Sequence, residues 1–503
     1  MNQEKNLRLS GVLVHPTSFP SRFGIGDLGS GAREFLDFLN QSNQNLWQLL
    51  PIGPTGFGDS PYQCVSAFAG QPLLISPDEL VKEGLLSESD LYDIPYSDPW
   101  RVNYGEVIPF KKRILRKTWE NFQSRGKGLF FDSFQKFCED ERYWLLDYAL
   151  FMSIKESQEG RSWTDWPREL QNPGPVRKQA LRAKFSDEIK YYSFVQFLFY
   201  HQWDALRNYA KERDITIIGD LPLFLSHDSA DVWAHKELFE LDSKGFPIEI
   251  SGVPPDLFSQ TGQLWGNPLY HWENHKKDHY AWWTARIKKQ LELADYIRID
   301  HFQGFELYWG TKYGSENAIN GHWRKGPGKE FFETVEKNLG QHLPIIAEDL
   351  GILTDEVVDM RDSFNYPGMK ILQYAFNNPY DNDLLPHHFI ENSVCYTATV
   401  DTDTTIGWYQ SAYEPSKDKA RRYMNTDGSA INWDFIRTAM GSIARFAIFP
   451  IQDVLSLGSD ARMNIPGKID GNWGFRYPGD LLHKNLVGYL KQITECYGRG
   501  ICI

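Results

Sequence analysis

The chain has 503 residues and a formal net charge of −13, with 41% hydrophobic and 24% charged residues. This composition is typical of a folded globular protein and argues against disorder. Because phosphate binding needs clustered Lys and Arg, the acidic balance argues against nucleic acid as a partner.

The cysteines and the apolar runs indicate in which cellular compartment the protein is expected. The cysteines are odd in number, widely spaced and form no CxxC pair: Cys64, Cys138, Cys395, Cys496 and Cys502. A disulfide framework or a zinc site is therefore not expected. No apolar run reaches about 18 residues, and the first residues lack the apolar core of a secretory signal. We expect a cytoplasmic protein that does not associate with a membrane.

Eight short apolar runs, each ending in polar or charged residues, follow one another along the chain. They cover residues 9–15, 46–53, 215–222, 295–302, 343–350, 369–376, 393–401 and 446–455. Most lack apolar/polar alternation, which is typical of parallel strands buried on both faces. Helical patterns lie between several runs, and Ser30 and Thr354 are expected to cap two of these helices.

Eight strands that alternate with helices predict an α/β fold, a (β/α)8 TIM barrel, with a doubly wound open sheet as the alternative. The spacing is uneven, because about 160 residues separate the second and third runs. We therefore expect one catalytic domain over residues 1–503 with two insertions above the C-terminal face of the strands. A mainly helical insertion covers 56–213, and another covers 223–294.

Acidic residues cluster where these strands end. In a barrel all such ends lie on one face, and that face carries the chemistry of barrel enzymes. A single acid at a strand end is more often a turn or cap residue, but a group on one face favours a site. The acids are Asp220, Asp300, Glu348, Asp349, Asp401 and Asp453.

The segment "GIGDLG" (24–29) fits a dinucleotide-binding fingerprint, but its context does not. About nine residues separate it from the preceding strand, and the next strand ends without an acid for a ribose. The chain has no HExxH, GxSxG or Walker motif. Nicotinamide, flavin, zinc-protease, serine-hydrolase and P-loop functions therefore lack support.

Two of the strand-end acids have neighbours that suit opposite roles. Arg298 lies two residues before Asp300, so in a strand both side chains point to one side, and a guanidinium favours the ionised form of a carboxylate. Glu348 adjoins Asp349, and a neighbouring negative charge with partial burial would raise the pKa of a Glu. A carboxylate nucleophile and a protonated acid are the pair that a retaining glycosidase needs.

Several long stretches resemble the 4-alpha-glucanotransferase (amylomaltase, disproportionating enzyme) family of the α-amylase clan, glycoside hydrolase family 77. The resemblance covers nearly the whole chain. It rests on residues 58–77, 219–239, 252–272, 298–305 ("RIDHFQGF"), 345–351 ("IIAEDLG"), 366–376 and 453–473.

The resemblance implies a (β/α)8 barrel that transfers α-1,4-glucan segments between maltooligosaccharides or starch and glycogen chains. Asp300 would be the nucleophile and Glu348 the acid and base, and Asp401 would hold the hydroxyls of the sugar at the cleavage site. Two inversions retain the α configuration, and neither a metal nor an organic cofactor is needed. The oligomeric state, monomer or dimer, is left open.

The resemblance also implies a set of substrate-binding residues. Tyr62 would stack on the reactive sugar, and a lid over the acceptor side within 223–294 would limit access of water. The remaining members are Asp220, Arg298 and His301 in the same subsite, Asp256 and Trp265 in the lid, and Asp349 and Asn464.

The chain departs from the family pattern around Asp401. The family usually reads T-G-T-H-D-N-D-T where this chain has "TATVDTDT". The altered residues Ala398, Val400 and Thr402 alternate, so in an extended chain they share one side, opposite Asp401. Gln303 also replaces a usual Arg. Two alternatives to an active transferase therefore stay open: a glucan-binding member of reduced activity, and a related α-glucan hydrolase.

Overall fold

The computed structural model describes residues 7–124, 128–255, 259–351, 353–377, 380–468 and 470–500. Its centre is a closed barrel of parallel strands, as the apolar runs predict. The strands, in their order around the barrel, are β1 (Leu9–Leu13), β12 (Phe446–Pro450), β11 (Ser393–Tyr396), β10 (Gly368–Ile371), β9 (Ile345–Ala347), β6 (Tyr296–Asp300), β3 (Thr216–Pro222) and β2 (Leu46–Gln48).

Each of these strands coincides with one of the eight predicted runs, so the predicted barrel is confirmed and the open sheet is excluded. Most strands end several residues before the apolar run does. In the run at 393–401, β11 ends at Tyr396 and the rest is irregular. Residues that leave the ladder at the carboxyl end are free to turn into the mouth of the barrel, where the acids were expected.

Helices fill the long connection between β2 and β3. They are α2 (Pro77–Lys82), α3 (Tyr104–Ser124), α4 (Leu129–Asp140), α5 (Arg142–Ser157), α6 (Arg168–Gln171), α7 (Pro175–Lys184) and α8 (Ser186–Lys211). Apolar side chains attach this segment to the barrel, since the fully buried rings of Trp47 in β2 and Trp203 in α8 lie 6.1 Å apart. Large aromatic pairs of this kind contribute much of the burial energy of a core.

The remaining helices follow β1 and the later strands. They are α1 (Ser30–Gln41), α9 (Ala230–Ala234), α10 (Trp272–Lys277), α11 (Ala281–Leu293), α12 (Lys329–Leu339), α13 (Asp355–Ser363), α14 (Leu372–Asn377), α15 (Thr405–Ser411), α16 (Glu414–Met424), α17 (Ile431–Gly441), α18 (Ile451–Val454) and α19 (Lys484–Cys496). Thr354 caps α13 as predicted, because its hydroxyl accepts the Val357 N–H. The expected cap Ser30 is wrong by one position: α1 begins at Ser30, and Gly29 precedes it.

A small antiparallel sheet stands outside the barrel, in the order β5 (Gln263–Pro268), β4 (Glu249–Val253), β7 (Leu307–Lys312) and β8 (His322–Lys325). The predicted insertion at 223–294 contains only β4 and β5. The other two strands come from the connection that follows the barrel strand β6. The sequence analysis predicted no strand in that connection, because none of the eight apolar runs lies there.

No helix in the described part of the chain is long and apolar enough to cross a membrane. The described cysteines are free thiols: Cys64, Cys138, Cys395 and Cys496.

Candidate active site

The carboxyl ends of the barrel strands bring several predicted site residues into one cleft. Asp220 lies near the end of β3, and Arg298 and Asp300 lie at the end of β6. Glu348 follows the last residue of β9, and Asp401 comes five residues after the end of β11. Because all these strands are parallel, their carboxyl ends share one face of the barrel.

Arg298 joins two carboxylates at the centre of this face. Its Nη1 donates to both oxygens of Asp220, at 2.8 and 3.0 Å, and its Nη2 lies 2.9 Å from Asp300 Oδ1. The two-residue spacing in β6 produces the second contact, since alternate strand residues face the same side. The side chain of Asp220 is 1% exposed and that of Asp300 is 30% exposed. Asp300 is therefore the carboxylate of this pair that the cleft can reach.

Tyr62 enters the same network from the long connection after β2. Its hydroxyl donates to Asp220 Oδ2 at 2.7 Å, and its ring lies 5.8 Å from that of Trp473. Burial raises the pKa of Asp220 to about 6, although Arg298 acts in the opposite direction. Tyr62 is only partly buried. A ring fixed at its hydroxyl end and open on part of its surface suits stacking on a sugar.

Glu348 is held at the next barrel strand by two backbone donors. Its Oε2 accepts the His301 N–H at 2.6 Å, and its Oε1 accepts the Leu350 N–H at 3.1 Å. Burial raises the pKa of Glu348 to about 8; Arg298 opposes this rise and the negative charge of Asp300 adds to it. The carboxyl groups of Asp300 and Glu348 therefore differ in their electrostatic environment. This difference allows Glu348 to act as an acid and Asp300 as a nucleophile.

The contact between His301 and Glu348 depends on an unusual backbone conformation. His301 has φ 55°, in the left-handed region that residues with a Cβ rarely adopt. This turn directly after β6 points the His301 N–H at Glu348. A left-handed residue costs about 1–2 kcal/mol, and a hydrogen bond to the Glu348 carboxyl, at about 0.5–1.5 kcal/mol, offsets part of this cost. Such strain concentrates at functional sites.

The His301 ring is buried and neutral at pH 7, because burial lowers its pKa to about 4. It packs edge-on against Trp265 of β5, with ring centroids 4.9 Å apart. Within the described part of the chain no group hydrogen bonds to His301 Nε2. A buried ring nitrogen without a partner is costly, so this atom is suited to bind a hydroxyl of a ligand.

Asp401 lies exposed in the cleft and is oriented by a residue that is distant in sequence. Its Oδ1 accepts from Asn464 Nδ2 at 2.7 Å, and its backbone carbonyl accepts from Arg462 at 3.0 Å. Desolvation by the surrounding protein raises the pKa of Asp401; Asn464 opposes this rise, and Asp300 adds to it. Sequence reasoning named Asn464 but missed Arg462, although both lie in the matched stretch 453–473.

The altered residues beside Asp401 line a small cavity. Ala398, Val400 and Thr402 line it together with His15, but so does the intervening Thr399, because the segment after β11 is irregular; the predicted alternation is therefore not confirmed. The cavity holds about 30 Å³ and Val400 is only 7% exposed. His15 Nδ1 has no hydrogen-bond partner among the described residues. The cavity beside Asp401 is thus lined by polar as well as apolar groups.

Asp349 is not brought into the cleft. Its Oδ1 accepts the Met369 N–H at 2.7 Å and its Oδ2 pairs with Arg361 of α13. Gly368 makes room for it, since a Cβ there would lie 2.2 Å from Asp349 Oδ2. Both oxygens of Asp349 are thus used inside the protein, which corrects its assignment as a substrate contact. The charges that act on Glu348 are those of Arg298 and Asp300 rather than that of Asp349.

Two further predictions have different outcomes. Asp453 is fully buried and accepts hydrogen bonds from the Thr397 hydroxyl and from the backbone and hydroxyl of Thr405, so it joins segments behind the site. Asp256, the expected lid residue, lies outside the described residues.

Comparison with known proteins agrees with this geometry. The model of the 4-alpha-glucanotransferase family matches residues 14–482. The 4-alpha-glucanotransferase of Synechocystis sp. is 49% identical over 498 residues, covering 98% of each chain. That of Aquifex aeolicus is 43% identical, covering 98% of this chain and 100% of its own.

A solved structure is similar over the same length. The amylomaltase from Streptococcus agalactiae, in complex with acarbose, has a TM-score of 0.95 and 38% identity, and the match covers 98% of this chain and 100% of that one. The family match, the two relatives and this fold agree over almost the entire sequence. The chain belongs to the 4-alpha-glucanotransferase family.

Proposed function

We propose that this protein transfers α-1,4-glucan segments from a donor chain to the 4-hydroxyl of an acceptor chain, through a covalent glucosyl-enzyme on Asp300. One observation carries the proposal. Asp300 pairs with the Arg298 guanidinium at 2.9 Å, whereas burial raises the pKa of the nearby Glu348 to about 8. One carboxylate is thus placed to attack and the other to give a proton, as a retaining reaction requires.

In the first step Asp300 attacks the anomeric carbon while Glu348 protonates the departing glycosidic oxygen. The bond from carbon to that oxygen breaks, a bond from carbon to Asp300 forms, and the configuration inverts. In the second step Glu348, now deprotonated, removes the proton of the acceptor hydroxyl, whose oxygen displaces Asp300. The second inversion restores the α configuration. The two N–H groups that hold Glu348 keep it in place in both steps.

The sugar at the cleavage point is held by groups that surround these two acids. Asp401, oriented by Asn464, accepts hydrogen bonds from sugar hydroxyls, and His301 Nε2 provides a further polar contact. Tyr62 stacks on the ring. Asp220 acts mainly through Arg298 and Tyr62, because its side chain is almost fully buried. Hydrogen bonds that strengthen as the ring flattens favour the transition state over the ground state.

The choice of a sugar acceptor over water depends on the inserted segments. We assign residues 56–213 to a helical subdomain, which supplies Tyr62, and residues 223–294 to a lid-bearing subdomain. Trp265, half-buried against His301, belongs to the second. An aromatic surface beside the acids favours the C–H face of an acceptor sugar and displaces water. The chemistry uses protein groups alone and needs no cofactor, and it suits a cytoplasmic enzyme of glucan metabolism.

Incubation with maltotriose tests this function. Transfer releases glucose together with longer oligomers and leaves the number of reducing ends constant, because each bond broken is replaced by a bond formed. Net growth of reducing ends would indicate the hydrolase alternative instead. Asp300→Asn should abolish both products. Asp349→Asn is a matched control, since it changes a neighbouring strand-end carboxylate that lies outside the cleft, and it should retain turnover.

A further inference from the structure

A second cluster of chemically active side chains lies at the other end of the barrel. Asp381, His387 and His388 belong to the connection between α14 and β11. This connection leads into the amino end of a barrel strand, whereas the catalytic acids lie at the carboxyl ends. Conservative changes here can therefore be studied apart from the reaction. The three side chains are 65%, 50% and 37% exposed, so an ion could reach them from solvent.

The distances within this cluster match the edges of a metal coordination shell. His388 Nε2 lies 2.9 Å from both oxygens of Asp381, and His387 Nε2 lies 3.3 Å from Asp381 Oδ1. Zinc ligands with bonds of about 2.0–2.1 Å are about 2.9 Å apart at a right angle and about 3.3 Å apart at a tetrahedral angle. The donor atoms of the cluster already have the spacing that a bound ion would impose.

One imidazole is also oriented by a residue outside the cluster. His387 Nδ1 lies 3.0 Å from the hydroxyl oxygen of Tyr423 in α16. If Nδ1 carries the proton and donates it to this oxygen, the lone pair of Nε2 points toward Asp381. Metal-binding histidines commonly use the second ring nitrogen in this way, which fixes the tautomer and the ring orientation. The rings of His387 and His388 lie 4.1 Å apart, and one ligand atom from each of the three residues lies within 4.8 Å of the others.

We propose that Asp381, His387 and His388 bind one divalent transition-metal ion of the zinc type, with water completing its shell. Two imidazoles and one carboxylate suit Zn²⁺, Ni²⁺ or Cu²⁺, whereas Mg²⁺ and Ca²⁺ require oxygen ligands. The nearby ammonium of Lys419 already donates to the carbonyls of Tyr380 and Ala375. Because this positive charge acts on Asp381 and the ligands are exposed, we expect a weaker affinity than that of a buried zinc site.

A bound ion would link residues of one surface connection and leave the cleft unchanged. It would shift the thermal unfolding midpoint upward, because an ion that binds only the folded state stabilises it. Maltotriose turnover would stay the same with and without the ion. The site is thus separable from the proposed glucan transfer, and failure of one does not bear on the other.

Calorimetric titration of untagged protein with ZnCl2, after dialysis against EDTA, tests the proposal. We expect one equivalent of zinc to bind and MgCl2 to give no binding. His388→Ala and Asp381→Asn should each weaken the affinity by at least about tenfold. His201→Ala is the matched control, because His201 pairs with Glu83 at 2.8 Å but belongs to no group of three ligands among the described residues; it should leave zinc binding unchanged.

A second readout distinguishes a formed site from loose surface binding. Cobalt in place of zinc should give visible ligand-field absorption, and His387→Ala should remove it. Since all three side chains are exposed, the variants should unfold at the same temperature as the unaltered protein when no metal is present. The proposal is overturned if the unaltered protein binds no zinc, or if His388→Ala and Asp381→Asn bind zinc as strongly as the unaltered protein does.

Discussion

Arg298→Lys removes the planar fork that holds two carboxylates at once. The guanidinium makes two contacts to Asp220, at 2.8 and 3.0 Å, and one to Asp300 at 2.9 Å. A lysine ammonium keeps the positive charge but is a compact group that cannot span both partners in this geometry. We expect it to stay with the buried Asp220, which is 1% exposed, and to release Asp300.

The size of the effect follows from the bonds lost. Hydrogen bonds to charged groups contribute about 1.5–3 kcal/mol each, and part of this is recovered through water at the more exposed Asp300. A loss of about 2–4 kcal/mol in transition-state stabilisation lowers kcat/KM for maltotriose roughly 30- to 1000-fold. The unfolding free energy should fall less, because Asp220 keeps a cationic partner.

The control for this experiment is Arg361→Lys. Arg361 also pairs with a buried strand-end carboxylate, Asp349, and also contacts a second acid, Asp362, but it lies outside the cleft. It should lose stability and keep kcat/KM within about threefold. Initial rates of glucose release from maltotriose and thermal unfolding midpoints give the two quantities. Equal activity losses in both variants, or an Arg298→Lys enzyme of unaltered rate, would refute the assignment of Arg298 to the site.

Three more predictions concern Glu348 and Val400. Glu348→Gln should lower maltotriose turnover at least about a thousandfold. It should leave the rate of glucosylation by an α-glucosyl fluoride donor largely unchanged, because the fluoride leaving group needs little protonation. Equal losses of rate with both donors would contradict the acid role. The same change should stabilise the fold by about 1–3 kcal/mol at pH 7 and by almost nothing at pH 4. The reason is that the folded pKa of Glu348, about 8, lies above the ordinary value, so the unaltered protein loses stability as the pH rises from about 4.5 to 8. Denaturant unfolding at both pH values measures the difference, and a gain of stability at low pH would contradict the prediction. Val400→His should raise kcat/KM roughly 2- to 12-fold through one new hydrogen bond. Val400→Leu is the apolar control and should give no gain. If a stably folded Val400→His variant shows no gain either, the cavity beside Asp401 does not limit turnover.

The barrel was predictable because its strands are continuous apolar runs, and no other pattern in the chain competes with them. The pairing of Arg298 with Asp300 was also predictable, since the two-residue period of a strand decides it. Glu348 and Asp349 lie beyond the last residue of β9, so the strand period does not decide where their side chains point. The resemblance assigned Asp349 to substrate binding, and no local pattern indicated that both of its oxygens are used inside the protein.

Other parts of the site depend on contacts that no local pattern records. Asn464 reaches Asp401 across 63 residues of sequence. The left-handed backbone of His301 directs its N–H to Glu348, a contact between residues that are 47 positions apart in the sequence. The strand β7 pairs with β4, although the barrel strand β6 lies between them in sequence, and β8 pairs with β7; only the folded chain brings them together.

The central claim is the covalent intermediate on Asp300. Mass spectrometry of the peptide around residues 296–305, after reaction with a 5-fluoro-α-glucosyl fluoride that forms the ester faster than it breaks, tests it most directly. We expect the peptide to gain one fluoroglucosyl group at Asp300, and the Asp300→Asn protein to gain none. A label on Glu348 or Asp401, or no label in an enzyme that still converts maltotriose, would contradict the account.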